Sequence, residues 1–276
     1  MKQMKVKFCS KKLWSKFAKV VATVTSIVSF VLPFIDLSQQ FKFFILIGVL
    51  IVLSSSFLIF WYRANHEKEK ILKINETTVT IKFGDIFTEP GLKVIAFNEY
   101  FDTQVDNKII ASSSLNGIFI TKYSVDATDI DNEIKSNKKL KNNVIARNVK
   151  RPNGGKKIRY KLGSICPYKN EFFLLAFSHF DDDNRAYLSV EDYMSCLMHM
   201  WNELDICYAG RPIVIPLLGS GITRIKNVKL SPQELLSYLL ITFKASKVKF
   251  NNTSSLSIIL NEIIRDNINL YDIREI

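Results

Sequence analysis

Hydrophobic positions fall into two long unbroken runs near the start of this chain and into a series of short runs after them. Val20 to Ile35, "VVATVTSIVSFVLPFI", carries no charge over 16 residues, and Phe43 to Tyr62, "FFILIGVLIVLSSSFLIFWY", carries none over 20. About 20 apolar residues are needed to cross a hydrocarbon core about 30 Å thick, so the second run has the length of a spanning helix. The first is shorter and contains Pro33, which removes one helical hydrogen bond. Phe17, Ala18 and Leu37 extend it, with Lys19 reaching outward along its aliphatic stem. A basic start before an apolar run also fits a signal peptide, but a second hydrophobic run follows where a cleavage pattern and a soluble mature start would stand. The pattern predicts an all-α transmembrane hairpin over residues 1–62.

Residues 63–76 read as a charged, helix-compatible linker, and from Thr78 the period changes. "TVTIKF" and "LKVIAF" predict strands, closed by Gly84-Asp85 and Asn98. "DIDNEIKSNKKLKNN" reads as one solvated surface helix. "KIRYKLGSI" and "EFFLLAFSHF" read as a strand pair around the turn "CPYKN". Ser189 caps a long helix with Glu191 and Asp192 in its first turn, on which Met194, Met198 and Trp201 face the core. The unbroken apolar "RPIVIPLLG" predicts a fully buried strand. A helix beginning Ser231-Pro232, the strand "SLSIIL" and a short helix over "NEIIRDNINLYDI" complete the chain. Strands alternating with helices predict an α/β sandwich over residues 77–276, with helices on both faces of a mixed central sheet.

Charge adds an orientation. Of the net +12, residues 1–76 hold +8 and the remaining 200 hold +4. Seven lysines precede the first run, Lys42 stands alone between the runs, and Arg63, Lys68, Lys70 and Lys73 follow the second. Positive charge marks the cytoplasmic side, which predicts a multi-pass protein of the cell membrane with both termini inside. The juxtamembrane excess suits anionic lipid and argues against a nucleic-acid partner. Cys9, Cys166, Cys196 and Cys207 form no metal-ligand spacing, and His66, His179 and His199 do not cluster with them. No metal site or cofactor is expected. Asp181 to Asp183 read as a solvated loop, and His179 as structural.

Candidate chemistry centres on "IPLLGSGITR", where a buried-looking strand stops at Gly-Ser-Gly. In α/β sheets ligands bind where strands end, and Gly219 and Gly221 permit backbone conformations that let several amides converge on an anion. A tight structural turn is the bland alternative.

With "TIKFGDIF" and "KVIAFNEYFD", this loop resembles the macro domain family, ADP-ribose-binding α/β modules, and implies a macro-like three-layer sandwich. The resemblance implies that Asp85 accepts from an adenine amino group, that Ile86 offers its amide and packing, and that Asn98 lies near the distal ribose. It also implies that Leu218, Gly219, Ser220, Gly221, Ile222 and Thr223, after Pro216, wrap a diphosphate. Hydrolytic members carry a glycine-rich run after the asparagine. Here "DTQVDNKIIASSSLNG" holds only Gly117, which favours binding of an extended ligand over catalysis, with Asp102 and the serines at 112–114 as further contacts and Arg224 as a candidate phosphate partner.

Two apolar runs before "GDIF", "VIAFNEYFDT", "ASSSLNGIF" and "IPLLGSGITR" resemble, over the whole chain, the Thoeris effectors with a membrane-anchored macro domain. That resemblance implies a bacterial anti-phage protein and no catalytic residues. Its ligand would be an ADP-ribose-derived signalling nucleotide, histidine-linked, made by a TIR-domain NADase partner. Homo-oligomerisation would follow, with contact to membrane lipid and disruption of the inner membrane. A membrane-tethered ADP-ribosyl hydrolase and a non-catalytic adaptor with an empty pocket are the rival readings.

Overall fold

The computed structural model describes residues 5–35, 38–123, 126–250 and 254–273. Lys2 of the basic leader and Leu37, expected to extend the first run, lie outside those. The chain divides into two compact units: residues 1–68 with 269–273, and 69–268 with 274–276.

In the first unit, α1 (Lys11–Val31) gives way to a 3-10 turn, Leu32–Phe34, that holds Pro33, and α2 spans Gln39–Asn65. Proline disfavours continuation of the first helix because it lacks an amide hydrogen and its ring clashes with the carbonyl four residues earlier. Both helices are long and apolar enough to cross a membrane, and most of their large side chains are exposed; Phe30 and Phe34 are 73% and 78% exposed. Packing concentrates at the end nearest the chain start. There Phe57 meets Phe8 and Trp14 with ring centroids 4.7 and 4.8 Å apart, Trp61 Nε1 donates to the Val6 carbonyl (2.8 Å), and Val6 N donates to Asn65 Oδ1 (2.8 Å). Tyr271 closes this cluster: Lys12 Nζ donates to its carbonyl at 2.6 Å, and Lys12 and Lys16 lie 5.0 and 5.1 Å from its ring centre.

The second unit is built on a mixed nine-stranded sheet. Its strands are β1 (Glu69–Ile74), β2 (Thr77–Phe83), β3 (Leu92–Asn98), β6 (Ile165–Tyr168), β7 (Phe172–Phe180), β8 (Ala186–Leu188), β9 (Ile213–Pro216), β10 (Arg224–Ile225) and β11 (Ser255–Leu260). Two more, β4 (Val144–Ala146) and β5 (Arg159–Tyr160), form a separate ribbon. The order β1-β2-β11-β9-β3-β7-β8-β10 makes β2, β11, β9, β3 and β7 a parallel block of five, with β6 antiparallel to the first half of β7. Parallel strands covered on both faces read as continuous apolar runs, and Phe172–Phe177 of β7 and Ile213–Ile215 of β9 are buried without a break.

Helices α3 (Leu115–Lys122), α4 (Ala127–Ser136) and α5 (Lys138–Asn142) bring Phe119, Ile130, Ile134 and Leu140 into one core with Phe97, Leu174 and Ala176. On the other face α6 (Val190–Cys207) packs against α7 (Pro232–Ser246), and Tyr193 meets Phe177 edge-on. The expected three-layer sandwich is the observed fold. Both long helices begin with capping boxes, Ser189 with Asp192 and Ser231 with Glu234, which satisfy otherwise orphaned backbone donors.

Several local expectations fail for identifiable reasons. Residues 63–76 are not a plain linker, since Glu69–Ile74 pairs with β2 through a two-residue turn at Asn75 and Glu76, both at positive φ, the backbone that matches strand twist. The helix expected over 129–143 is two helices, because Asn137 leaves the helical region and caps α5 through the Leu140 amide. The turn expected at "CPYKN" narrows to Lys169-Asn170, leaving Cys166 within β6. On α6, Met200 and Trp201 are fully buried whereas Met194 and Met198 are half-buried. The last short helix is a 3-10 run, Glu262–Asn267. Cys166 and Cys196 are buried thiols, and burial pushes Cys166 up to about 12, so neither is a reactive thiolate at neutral pH.

His179 turns away from the strand-end residues Ser178 and Phe180 on either side of it. Its Nδ1 lies 2.7 Å from the buried Glu99 carboxylate, and Nε2 lies 3.7 Å from Asp192. The Glu99 hydrogen bond raises the pKa of His179 against the opposing effect of burial. A raised folded-state value means that the stability from this pair is complete below about pH 6.5 and is lost as pH rises through the folded value. Melting temperature measured from pH 6 to 8.5 should therefore fall with pH, and His179→Gln should flatten that slope.

Candidate functional site

All five parallel strands deliver their carboxyl ends to one cavity of about 1020 Å³, bordered by Gly84 after β2, Asn98, Ser178, Pro216 and Ile259. Loops between these strands supply the walls. Asp85 and the 3-10 turn Ile86–Thr88 stand on one side. Residues 107–116 and the first turn of α3 stand on another, and residues 183–186, 216–223 and 261–264 complete the rim.

Asp85 is exposed at the cavity edge and held rigidly. Its Oδ1 accepts from Phe87 N (3.0 Å), and its carbonyl accepts from Thr88 N (3.2 Å) and Thr88 Oγ1 (2.9 Å). Ile86 behind it is buried. The Phe87 and Tyr123 rings stack 4.1 Å apart at 8°, with Tyr123 and Lys122 on the lining.

The glycine loop is pinned from below. Leu217 N donates to Ile259 O (3.2 Å), Ser220 Oγ donates to Leu217 O (2.6 Å), and the buried Tyr193 hydroxyl donates to Leu218 O (3.0 Å). Burial raises the Tyr193 pKa, so that hydroxyl stays a neutral donor. The two glycines have different reasons to be glycine. Gly219 has φ +82°, and a Cβ there would touch Leu235 and Tyr193 at 3.4 Å; Gly221 has ordinary φ and only open space beside it. Gly117 is a third case, because a Cβ would lie 2.2 Å from Ala111 O. It lets the first turn of α3 rest on the preceding loop, with Ser114 Oγ accepting from Gly117 N (3.2 Å).

Asp85, Ile86, Asn98, Leu218, Gly219, Ser220, Gly221, Ile222 and Thr223 thus lie on one cavity, joined by Ser113 and Ser114. Asp102 and Arg224 do not line it. Asp102 is buried, with Oδ2 accepting from Arg151 Nη1 (2.7 Å) and Asn98 Nδ2 (3.0 Å), and Oδ1 from Lys156 N (2.7 Å). Asn98 Oδ1 in turn accepts from Tyr100 N and Asp102 N. The carboxamide of Asn98 is therefore engaged in shaping its own loop.

Sequence reasoning missed Lys108, Lys122, Asn184 and Arg185, which also line the cavity. Asn184 accepts from Arg151 Nη2 at 2.6 Å, and Arg185 lies 3.1 Å from Asp183. No spacing marks them, because they come from separate loops. Asp106 shapes the loop behind Lys108: amides of Ile109 and Lys108 hold its carboxyl below the usual range. Among the described residues no group of His, Cys, Asp and Glu could hold a metal.

A three-layer domain with its cavity at the ends of a parallel block is the macro-type arrangement, and comparison with known sequences agrees. The profile of the family described as "Thoeris protein ThsA, Macro domain" matches residues 79–261. The Thoeris protein ThsA of Bacillus amyloliquefaciens (strain Y2) is 43% identical over 262 residues, covering 93% of this chain and 86% of that protein. Similar solved structures include the Oceanobacillus iheyensis macrodomain with MES bound (TM-score 0.46, 13% identity, 74% of this chain and 93% of the other) and a point mutant of the same macrodomain (0.46, 12%, 74% and 90%). The chain belongs to the Thoeris ThsA family and carries that family's macro domain.

The two glycines of the loop give separable outcomes. Gly219→Ala should destabilise the domain by about 1–2 kcal/mol, the penalty of a left-handed backbone for an L-residue. Gly221→Ala should stay within about 0.5 kcal/mol of the parent. Denaturant unfolding followed by near-ultraviolet circular dichroism measures both.

Proposed function

We propose that this protein is a membrane-anchored effector of anti-phage defence whose cytosolic macro domain binds an ADP-ribose-derived signal. The observation that carries the reading is the open cavity itself. A fixed carboxylate, Asp85, stands at one end, and a pinned loop leaves the Gly221 backbone uncovered at another. A diphosphate suits the loop, since amides freed of side chains approach anions closely. An adenine amino group suits Asp85. The volume lies at the upper end of the roughly 300–1,000 Å³ usual for small-molecule sites, which supports a ligand longer than a mononucleotide, and we assign the histidine conjugate of ADP-ribose made by a TIR-domain NADase.

The protein acts as a sensor and not as a catalyst in this reading. Engagement of the Asn98 carboxamide by Asp102, Tyr100 and the loop backbone supports that choice. So does the replacement of a glycine run by residues 102–116, which hold no glycine. The apolar helices α1 and α2 cross the inner membrane with both chain termini in the cytoplasm. Ligand binding favours an oligomer in which the helices associate and breach the bilayer, which requires only that the ligand bind that state more tightly.

Calorimetric titration of the full chain in detergent with ADP-ribose and with its histidine conjugate tests this. The conjugate should bind, Asp85→Ala and Gly221→Ala should each weaken it at least about tenfold, and no product should form. Release of free ADP-ribose by the parent, abolished by Asn98→Ala, would replace the sensor with a tethered hydrolase. Failure to bind either compound would leave a membrane adaptor.

A further inference from the structure

From Asn137 to Lys161 the chain carries ten Lys or Arg and no Asp or Glu. Residues 77–276 hold 26 basic and 22 acidic side chains, so without this stretch there are 16 against 22. The excess positive charge of the α/β domain is therefore local.

Four of the ten cations are committed inward. Arg151 pairs with Asp102, Lys156 with Asp131, Lys139 with Glu203 (2.9 Å), and Arg159 lies 3.9 Å from Glu99. The other six, Lys138, Lys141, Arg147, Lys150, Lys157 and Lys161, are exposed, with no ion-pair partner among the described residues. None of them lines the cavity.

These six share one piece of structure. Helix α5 leads directly into the β4–β5 ribbon. Lys161 N donates to Asn143 O (2.8 Å) at one end of the ribbon, and Val149 N donates to Lys157 O (3.0 Å) at the other. A two-stranded ribbon is marginal alone. This one is fastened by the buried Arg151–Asp102 pair, whose side chains are 6% and 2% exposed. Ile145, between its cations, is 52% exposed.

We propose that this ribbon docks on an anionic phospholipid surface, the headgroups of the bilayer that holds α1 and α2. The inference rests on the membrane reading given above. Clustered lysines beside a membrane are drawn to anionic leaflets, and that pull decays within a Debye length of about 8 Å. An exposed isoleucine among them suits the headgroup–acyl boundary and has no use against a phosphodiester backbone. The ribbon's tyrosine, Tyr160, is buried, so it offers no stacking platform for bases. Covalent tethering to spanning helices raises the effective concentration of the partner surface.

The test uses the full chain reconstituted in vesicles of phosphatidylcholine alone and of phosphatidylcholine with roughly a third phosphatidylglycerol. Surface lysines are acetylated with a membrane-impermeant reagent and quantified by mass spectrometry, with the exposed Lys229 as reference outside the ribbon. Labelling of Lys150 and Lys157 relative to Lys229 should fall about tenfold in anionic vesicles only. About 0.5 M salt should abolish that protection, and so should the double substitution Ile145→Ser, Arg147→Glu. Flotation in alkaline carbonate reports insertion separately. Equal labelling in both vesicles by a chain that floats overturns the docking alone, and a chain that does not float overturns the membrane reading together with it. Stronger protection by duplex RNA than by anionic lipid would also overturn the proposal and assign the ribbon to nucleic acid.

Discussion

A carboxylate taken out of water must be given its counter-charge and its hydrogen bonds, and the cavity-lining Asn98 and Asn184 are both tied to the pair that meets that requirement at Asp102. Five consecutive loop residues, Glu99 to Thr103, are buried after β3. Phe101 among them holds φ +51°, a conformation that bulky residues adopt only under constraint. The constraint is the set of donors on Asp102. Arg151 bridges it to Asn184, while its guanidinium stacks 4.2 Å from the centre of the Tyr100 ring. Removing one partner of a buried pair costs about 3–5 kcal/mol, because the other charge is left without compensation. Three loops far apart in sequence, those around residues 100, 151 and 184, therefore stand or fall together. Two of them border the cavity.

Another part of the cavity rim follows a different logic. There the glycine loop is held by neutral hydrogen bonds from Tyr193 and Ser220. One glycine serves the fold and its neighbour serves access. A single Gly-Ser-Gly signature in the sequence thus combines two requirements that only the conformations of Gly219 and Gly221 separate.

The overall architecture was legible because it rests on periodicity. Unbroken apolar runs gave the buried strands, serine caps gave α6 and α7, and charge-free stretches gave the two long helices. Asp85 and the 216–223 loop were legible because a strand end followed by glycine is a local signal. Asp102 was misassigned for an equally physical reason: an aspartate in a polar-looking loop does not announce that Arg151, 49 positions away, will bury it. Lys122, Asn184 and Arg185 likewise reach the cavity through tertiary placement. The helix break at Asn137 and the strand at Glu69–Ile74 were hidden, because a charged, helix-compatible segment can also form a partly exposed outer strand once a neighbour offers its edge.

The closing segment Asn269–Ile273 belongs with the helical unit, where Lys12 grips Tyr271, although the 200 residues before it form the other unit. Topologically, the α/β domain is an insertion between two parts of the unit that begins the chain. An inserted domain is fastened at both its entrance and its exit. The chain leaves the helical unit after Lys68 and returns to it at Asn269, so two covalent connections join the units where a simple tandem arrangement would have one.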